Sequence, residues 1–142
     1  MIKIRYGVFE TNSSSVHSLI LCSDEEYKAF ALHQLYYNRW NDCFITYKEV
    51  HQEIIDLYNK DYSFFTEVWN EFISEEEESP SIQTFDALSL EQKEYFIYHA
   101  LDGMICAPQD IFENEYYASF DDVYTTKSGE VVHAFGYYGQ GY

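Results

Sequence analysis

Apolar and polar residues alternate with a period of two near both ends of the chain, which predicts β-strands there. Residues 2–8 and 16–22 show this alternation at the amino end, and residues 123–126 and 130–137 show it at the carboxyl end. Gly129 lies between the last two runs, in a turn where a residue with positive φ is favoured. The pattern therefore predicts an antiparallel pair of strands at each end of the sequence.

In the middle of the chain the apolar residues recur every three or four positions, which predicts helices. Residues 48–58 and 64–73 each gather their large apolar side chains on one helical face. Two further helices, over 23–33 and 89–101, begin with a serine that is followed three residues later by Glu or Gln, the pattern of a capping box. This region is therefore predicted to hold three to four helices.

Three segments follow neither helical nor strand period for long. Residues 35–40 and 43–47 are aromatic-rich runs on either side of a short polar turn, which favours a β-hairpin. The acidic run at 75–78, followed by Ser-Pro-Ser, interrupts helical packing and is predicted to be a linker. Residues 110–120 hold no single period, and we interpret them as a short helix, with irregular structure as the alternative.

The order of these elements predicts an α+β fold. An antiparallel sheet would join the amino-terminal and carboxyl-terminal strands, with the helices in the middle of the chain. A length of 142 residues fits one domain, since single domains commonly hold about 100–150 residues. We therefore expect a single acidic domain over 1–142, with one hydrophobic core.

The charge balance narrows the class of partner. The chain has 25 Asp and Glu against 8 Lys and Arg, a formal net charge of -17, and 20% of its residues are aromatic. So many rings favour a packed core over disorder, while so negative a surface repels nucleic acid and anionic membranes and attracts basic proteins. No apolar run reaches the roughly 18 residues of a membrane span. We therefore expect a protein of the host-cell cytosol with no direct nucleic-acid or membrane partner.

The cysteines and carboxylates do not predict a metal or cofactor site. Cys22, Cys43 and Cys106 are far apart and flanked by apolar residues, which is typical of buried thiols in a reducing compartment. The CxxC and HxxxH pairs of zinc sites do not occur in the sequence. The acidic clusters lack the spaced pattern of an EF-hand calcium loop. No metal and no cofactor is therefore predicted.

Carboxylates recur at helical spacing in the predicted helices. Spacings of three and four residues place side chains on one helix face, with Cβ atoms about 5–6 Å apart. Like charges so placed destabilise a helix by about 0.2–0.5 kcal/mol per pair, a cost that a cationic partner would offset. The candidate partner-binding carboxylates are Glu49, Glu53 and Asp56 in one row, Glu67, Glu71, Glu75 and Glu78 in a second row, and Glu113, Glu115, Asp121 and Asp122 in a third cluster.

Carboxylate rows of this kind predict mimicry of a nucleic acid. A groove that binds nucleic acid presents Lys and Arg to a regularly charged backbone, so negative groups at regular intervals on a stiff helix can occupy it. Exposed tyrosines can then stack where bases would stack. The candidates are Tyr116, Tyr117, Tyr137 and Tyr138. The alternative is that the acidic surface only keeps the protein in solution.

A motif near the amino end is similar to a group of known sequences. The run Val-Phe-Glu-Thr-Asn-Ser-Ser-Ser-Val-His-Ser at 8–18, with Ser-Gly-Glu at 128–130 and Phe-Gly-Tyr-Tyr-Gly at 135–139, resembles small, mostly uncharacterised proteins from phages and Firmicutes genomes. The likeness covers the two ends of the chain and not its acidic middle. What the resemblance implies is origin: a phage or mobile-element accessory protein, a class in which anti-CRISPR and other anti-defence proteins are common. It implies no role for individual residues.

The same amino-terminal segment carries the side chains of an alternative, catalytic site. These are Glu10, Ser13, Ser14, Ser15 and His17, with His133 on the last predicted strand. If the first and last strands are neighbours, the carboxylate, the imidazoles and a serine can converge into a hydrolytic or nucleotide-binding site. The simpler interpretation is a turn at 11–15 whose side chains satisfy backbone donors.

Three functional hypotheses therefore remain open, and the first is favoured. It is a phage accessory protein that binds a basic, nucleic-acid-binding host protein, with a CRISPR effector nuclease as the leading candidate, and blocks its groove without turnover. The second is a small hydrolase or nucleotide-binding enzyme built on the serine-rich segment. The third is a structural or regulatory homo-oligomer, in which aromatic residues beyond the capacity of one core form the interface.

Overall fold

A computed structural model of the chain describes residues 16–75, 79–113 and 118–138, and the fold is given for these ranges. The strands are β1 (Val16–Ser23), β2 (Leu35–Asn38), β3 (Cys43–Thr46), β4 (Ile105–Cys106), β5 (Ala118–Thr125) and β6 (Val131–Tyr138). The helices are α1 (Asp24–Ala31), α2 (Tyr47–Lys60), α3 (Tyr62–Phe72), α4 (Ile82–Asp86), α5 (Leu90–Ala100) and α6 (Pro108–Phe112). The fold is α+β, as the sequence predicts.

The first sheet joins the two ends of the described chain. Its strand order is β1-β6-β5, and both pairings are antiparallel. Cys22 of β1 and Val123 of β5 lie opposite His133 on either side of the central strand. Gly129, at φ 92°, makes the turn between β5 and β6, where a left-handed conformation costs glycine little. The predicted sheet between terminal strands is confirmed, while the predicted strand at 2–8 lies outside the described residues.

A second, smaller sheet is formed from the middle of the sequence. β2 and β3 form the antiparallel hairpin that the aromatic runs predict, and β4 pairs with the other edge of β2. The hairpin turn contains Asp42 at φ 50°, a conformation that Asp adopts more readily than most residues. The sequence does not predict β4, because a strand of 2 residues is too short to show a period.

Aromatic and aliphatic side chains fill two hydrophobic clusters. One lies among the helices and includes Phe65, Trp69 and Phe96. The other joins the two sheets to α1 and α6, and in it the ring centroids of Phe30 and Phe135 are 5.4 Å apart. The single core expected from the chain length is thus divided in two, because the second sheet lies between the clusters: Tyr36 and Tyr37, neighbours in β2, belong to different ones.

All three cysteines are free thiols. Cys22 and Cys106 are fully buried, and Cys43 is half-buried. Burial raises the pKa of Cys22 and of Cys106 to about 12. These two thiols therefore stay protonated at neutral pH and pack as small apolar side chains, as the sequence predicts.

Side-chain caps determine where the helices begin. Ser23 caps α1 and Ser89 caps α5, each in the reciprocal capping box that the sequence predicts. Ser81, the last residue of the predicted linker, caps α4. The sequence does not show α4, because 5 residues complete little more than one helical turn. None of the helices in the described ranges has the length and apolar character needed to cross a membrane.

The segment 110–120, interpreted from the sequence as one short helix, is divided in the structure. α6 occupies its beginning and ends at Phe112, whereas β5 already begins at Ala118. Most side chains of β5 are exposed on both faces, so the strand lacks the apolar alternation by which strands are recognised in a sequence. Pairing with β6, a long-range interaction, decides its conformation instead.

Candidate functional site

Helix α2 carries the first predicted row of carboxylates. Its apolar side, with Val50 fully buried, packs on the core. Glu49 and Glu53 are exposed and Asp56 is half-buried, at helical spacings of four and three residues. Glu49 also fixes the start of the helix, since its Oε1 accepts hydrogen bonds of 3.1 Å from both the backbone N–H and the hydroxyl of Thr46. The first row therefore lies on a capped and packed helix.

Helix α3 carries the second predicted row only in part. The side of α3 that carries Phe65 and Trp69 is buried, whereas Glu67 and Glu71 are exposed. The helix ends at Phe72, so Glu75 does not continue the row, and Glu78 lies outside the described residues. An unbroken row to Glu75 is therefore wrong: adjacent like charges beyond the helix end oppose its continuation.

The third predicted cluster does not form one surface. Asp121 and Asp122 are neighbours in β5, so their side chains point to opposite faces of the sheet. Asp121 accepts a hydrogen bond from the Tyr27 hydroxyl, and Glu113 is exposed just beyond α6. Glu115, Tyr116 and Tyr117 lie outside the described residues.

One of the tyrosines predicted to stack on a partner is buried. Tyr137 is 9% exposed and belongs to the cluster between the sheets. The guanidinium carbon of Arg39 lies 5.5 Å from the centroid of its ring. Residues 132–137 of β6 are all buried, so both faces of this strand are covered, and Tyr137 is not available to a partner. The side chain of Tyr138 lies outside the described part of the structure.

Few cations neutralise the exposed carboxylates. Within the described residues, the pair of Lys28 with Asp24, at 2.8 Å, is the ion pair that uses a Lys or Arg, and the other pairs use histidines. The remaining carboxylates of α2 and α3 form no such pair in that part of the chain. We refer to Glu49 and Glu53 of α2 together with Glu67 and Glu71 of α3 as the acidic rows. The two helices are consecutive and pack against each other.

The alternative catalytic site is not assembled within the described residues. Glu10, Ser13, Ser14 and Ser15 lie outside them, and so does the side chain of His17. His133 lies opposite Cys22, which is five residues along β1 from His17, or about 17 Å at the rise of a strand. The strands that carry the two histidines are neighbours, but their pairing separates the histidine positions.

His133 makes contacts that attach the sheet to a helix. Its Nε2 lies 2.8 Å from Oδ1 of Asp24, and its ring stacks on that of Tyr27 with centroids 4.0 Å apart. The residue is 7% exposed, and its Nδ1 is buried without a hydrogen-bond partner among the described residues. These contacts join β6 to the first turn of α1, which supports a packing role.

The described residues also form a cleft that the sequence does not predict. It lies where the end of α3, the start of α5 and α6 meet, and its volume is about 460 Å³. Sites for small ligands commonly enclose about 300–1,000 Å³. The residues that line the cleft are Phe72, Ile73, Ser89, Glu91, Gln92, Tyr95, Gln109 and Asp110.

A buried hydrogen-bond network lies behind the cleft. Its centre is Glu94, which is 4% exposed. Its Oε2 accepts a hydrogen bond of 2.7 Å from the Tyr36 hydroxyl and lies 2.7 Å from Nδ1 of His33. Its Oε1 accepts a hydrogen bond of 2.9 Å from Nε2 of Gln109. Because Gln109 also lines the cleft, the network connects the cleft wall with the partly exposed His33.

Asp110, in the wall of the cleft, has an unusual pKa. Burial raises the pKa of this carboxyl to about 6, and the charge of Glu94 acts in the same direction. The backbone N–H of Ala107 donates a hydrogen bond of 2.8 Å to its Oδ2. That bond opposes the shift, as do the charges of Arg39 and His33. The carboxyl therefore changes its protonation state near neutral pH.

We expect Asp110→Asn to stabilise the protein at about pH 7 and to have little effect near pH 4. Folding raises the pKa of Asp110 from 3.8 to about 6. The stability that its protonated carboxyl contributes is therefore fully present below pH 3.8 and is lost as pH rises through about 6. Asparagine keeps an oxygen for the Ala107 N–H and removes the charge. The free energy of unfolding at about pH 7 should therefore rise by about 1–3 kcal/mol.

Urea unfolding at the two pH values measures this effect. Asp122→Asn removes the same charge at an exposed site and should change the free energy of unfolding by less than about 0.5 kcal/mol at either pH. A destabilised Asp110→Asn at neutral pH would contradict the raised pKa.

Sequence reasoning missed the residues of the cleft and of the network behind it. They come from four separate segments, and no spacing relates them. One signal was present: Glu94 lies on the side of α5 that also carries the buried Ile97, three residues away and therefore on the same face. A carboxylate on the apolar face of a helix indicates a buried hydrogen-bonding partner.

Comparisons with known proteins do not assign the chain to a family. No family model, no curated protein and no solved structure matches it. In the three described ranges, no group of three or more His, Cys, Asp or Glu side chains is placed to hold a metal ion. The functional interpretation therefore depends on the acidic rows and on the cleft.

Proposed function

We propose that the protein binds a basic, nucleic-acid-binding protein through the acidic rows. The observation that carries the proposal is the exposure of Glu53, Glu67 and Glu71 with no ion-pair partner among the described residues. These like charges repel one another, and a groove lined by Lys and Arg relieves that repulsion. The net charge of -17 adds a long-range attraction for the same class of partner.

The spacing of the carboxylates supports mimicry of a nucleic-acid backbone. In α2 and in α3, two exposed glutamates are four residues apart, a rise of about 6 Å along each helix. Each row therefore carries a negative charge about every 6 Å, which corresponds to roughly every second phosphate along one strand of B-DNA, where phosphates are about 3.4 Å apart. A groove that binds a nucleic-acid strand would therefore meet negative charges at regular intervals.

An exposed aromatic residue lies within the second row. Phe64 is three residues before Glu67 and seven before Glu71, so the three share one side of α3, and its side chain is 37% exposed. A ring among carboxylates can stack on a guanidinium or on an aromatic side chain that would otherwise hold a base. Phe64 thus replaces Tyr137 as a candidate stacking residue.

Within this class of partner, we favour a CRISPR effector nuclease. Such a nuclease holds its guide and target strands in a positively charged channel. Occupation of that channel by the acidic rows would block nucleic-acid binding without any turnover. What supports this choice is charge complementarity, together with the resemblance of the segment at 8–18 to phage proteins.

Neutralising the acidic rows tests the proposal. In the variant Glu53→Gln, Glu67→Gln, Glu71→Gln, we expect the affinity for a purified CRISPR effector nuclease to fall about tenfold or more, because three contacts of about 0.5–1 kcal/mol each are lost. The unchanged protein should bind more weakly as salt rises from about 50 to 200 mM, since displaced counterions drive such binding. Calorimetry or surface-based binding at several salt concentrations measures both effects.

A matched control variant shows whether binding depends on the position of the carboxylates or only on the net charge of the protein. The variant Glu25→Gln, Asp102→Asn, Glu130→Gln removes the same number of charges from exposed sites elsewhere and should bind like the unchanged protein. Equal losses in both variants, or binding that does not respond to salt, would contradict the proposal. If another basic nucleic-acid-binding protein binds and the nuclease does not, the choice of partner is wrong and the class of partner stands.

A further inference from the structure

We propose that the cleft between α3, α5 and α6 binds an arginine side chain of the basic partner. This inference rests on the proposed function, because the ligand is taken from a protein rich in Lys and Arg. The described lining combines the carboxyl groups of Glu91 and Asp110 with the rings of Phe72 and Tyr95, and it contains no Lys or Arg. A volume of about 460 Å³ admits the guanidinium and the chain that carries it.

The acceptors in the cleft suit a group that only donates hydrogen bonds. Glu91, in α5, is exposed, and Asp110, in α6, is half-buried. The amide nitrogen of Gln109 already donates to Glu94, which leaves the Gln109 carbonyl oxygen as its free acceptor. By contrast, the carbonyl oxygen of Gln92 accepts hydrogen bonds from Ser89. Two carboxyl groups and one amide oxygen are therefore available to a guanidinium.

Aromatic rings form a supported wall beside these acceptors. Phe72 stacks on His99 with centroids 3.7 Å apart, and Tyr95 meets Phe72 edge-on at 5.6 Å and His99 at 4.6 Å. The side chain of Tyr95 is nevertheless 49% exposed. A large exposed ring held by two others offers a face on which a cation can lie. Stacking of a cation on this ring would explain why Tyr95 remains exposed, which packing in the core does not explain.

The geometry favours arginine over lysine. A planar guanidinium can stack on an aromatic ring while its edge donates hydrogen bonds to carboxylate and amide oxygens. The ammonium of lysine is a point charge and does not combine stacking with directed donation. Because the cleft presents a ring and oxygens together, we expect it to prefer arginine.

The amino-terminal end of α5 does not turn the cleft into an anion site. The partial positive charge of a helix start favours anions. Here Glu91 lies in the first turn, and Ser89 accepts a hydrogen bond from the N–H of Gln92. The helix start is therefore already supplied with negative charge and with an acceptor.

The cleft adjoins the second acidic row. Burial lowers the pKa of His99, and the charge of Glu71 opposes that shift, so Glu71 lies near the aromatic wall. Phe72, the next residue along α3, lines the cleft. A partner that lies along the row can therefore place an arginine in the cleft.

Binding of the arginine should depend on pH through Asp110. The groups that act on this carboxyl are Glu94 of α5, His33 after α1 and Arg39 after β2, besides the N–H of Ala107, and the pKa that results is about 6. Below that pH the carboxyl is protonated and no longer attracts a cation. The affinity for an arginine ligand should fall as pH is lowered through about 6.

A capped tri-arginine peptide and the full chain provide the test, with binding followed by calorimetry or NMR. We expect the peptide to bind more tightly than capped tri-lysine, and Glu91→Gln with Tyr95→Leu to weaken it about tenfold or more, since a charge-assisted hydrogen bond and a stacking contact are lost. Glu91→Gln alone, at an exposed position, should weaken binding without affecting the fold. Glu25→Gln, the same change in another helix, should have no effect.

Two results would overturn the inference: equal binding of the two peptides, and binding that survives both cleft variants. Circular dichroism of each variant shows whether it is folded. The peptide assay contains no partner protein, and the loss of binding on changing Glu91 and Tyr95 reports on the cleft, whereas the nuclease assay with the row variants reports on the proposed function. Failure of one is therefore distinguishable from failure of the other.

Discussion

Phe65→Ala is expected to lower the free energy of unfolding by about 3–5 kcal/mol. Phe65 is 0% exposed, and its ring centroid lies 5.0 Å from that of Phe96 and 5.2 Å from that of Tyr58. Alanine would leave a cavity where α2, α3 and α5 meet, and the rigid rings around it cannot collapse to fill the space. Since domains are stable by only about 5–15 kcal/mol, urea unfolding followed by circular dichroism should show a large shift of the midpoint.

The neighbouring residue is a matched control. Phe64→Ala removes the same side chain from the next position of α3, where it is 37% exposed. We expect a smaller loss of about 1–2 kcal/mol, because more than a third of this residue is already in contact with water and less apolar surface leaves the interior. Equal losses at the two positions would contradict the inward and outward sides of α3 on which the acidic rows depend.

The same periodicity explains why much of the fold could be predicted from the sequence. Helix α3 has strong apolar spacing over three turns, and α1 and α5 add capping boxes, so local signals agree with tertiary packing. β6 follows a glycine turn, and the predicted antiparallel sheet that joins the terminal strands is confirmed; its central position in that sheet was not predicted. The elements that the sequence did not show are β4, α4 and the beginning of β5. Each is either very short or exposed on both faces, so long-range pairing and packing determine it.

The candidate site could be predicted only where it follows one helix. The acidic rows are periodic within α2 and α3, and their exposure follows from the apolar faces opposite to them. Helix α3, which carries the second row, ends at Phe72. Where it ends depends on the balance between charge repulsion and helix propagation, and the spacing of the residues does not show that balance. The cleft and its network bring together residues near positions 33, 72, 94 and 109, and such convergence depends on the tertiary fold.

The buried hydrogen-bond network around Glu94 also connects the elements that form the cleft. Glu94 of α5 holds Tyr36 of β2 and Gln109 of α6, so one carboxylate connects the second sheet with two walls of the cleft. Burial, followed by the hydrogen bond to Glu94, raises the pKa of Tyr36, and its hydroxyl therefore remains a donor at neutral pH. The cleft proposed to bind arginine thus depends on Glu94, an ionisable group that does not line it.

Glu94→Ala is therefore expected to destabilise the protein by about 3 kcal/mol or more, because three side-chain donors lose their acceptor. Tyr36 is 1% exposed and cannot turn to water, whereas His33, at 31% side-chain exposure, can in part. Glu94→Gln should lose less, since its amide oxygen can still accept from Tyr36. Glu91→Ala, at an exposed position three residues earlier in α5, should change the free energy of unfolding by less than about 1 kcal/mol. Urea unfolding of the three variants ranks them, and a Glu94→Ala protein as stable as Glu91→Ala would mean that the network does not hold the cleft together.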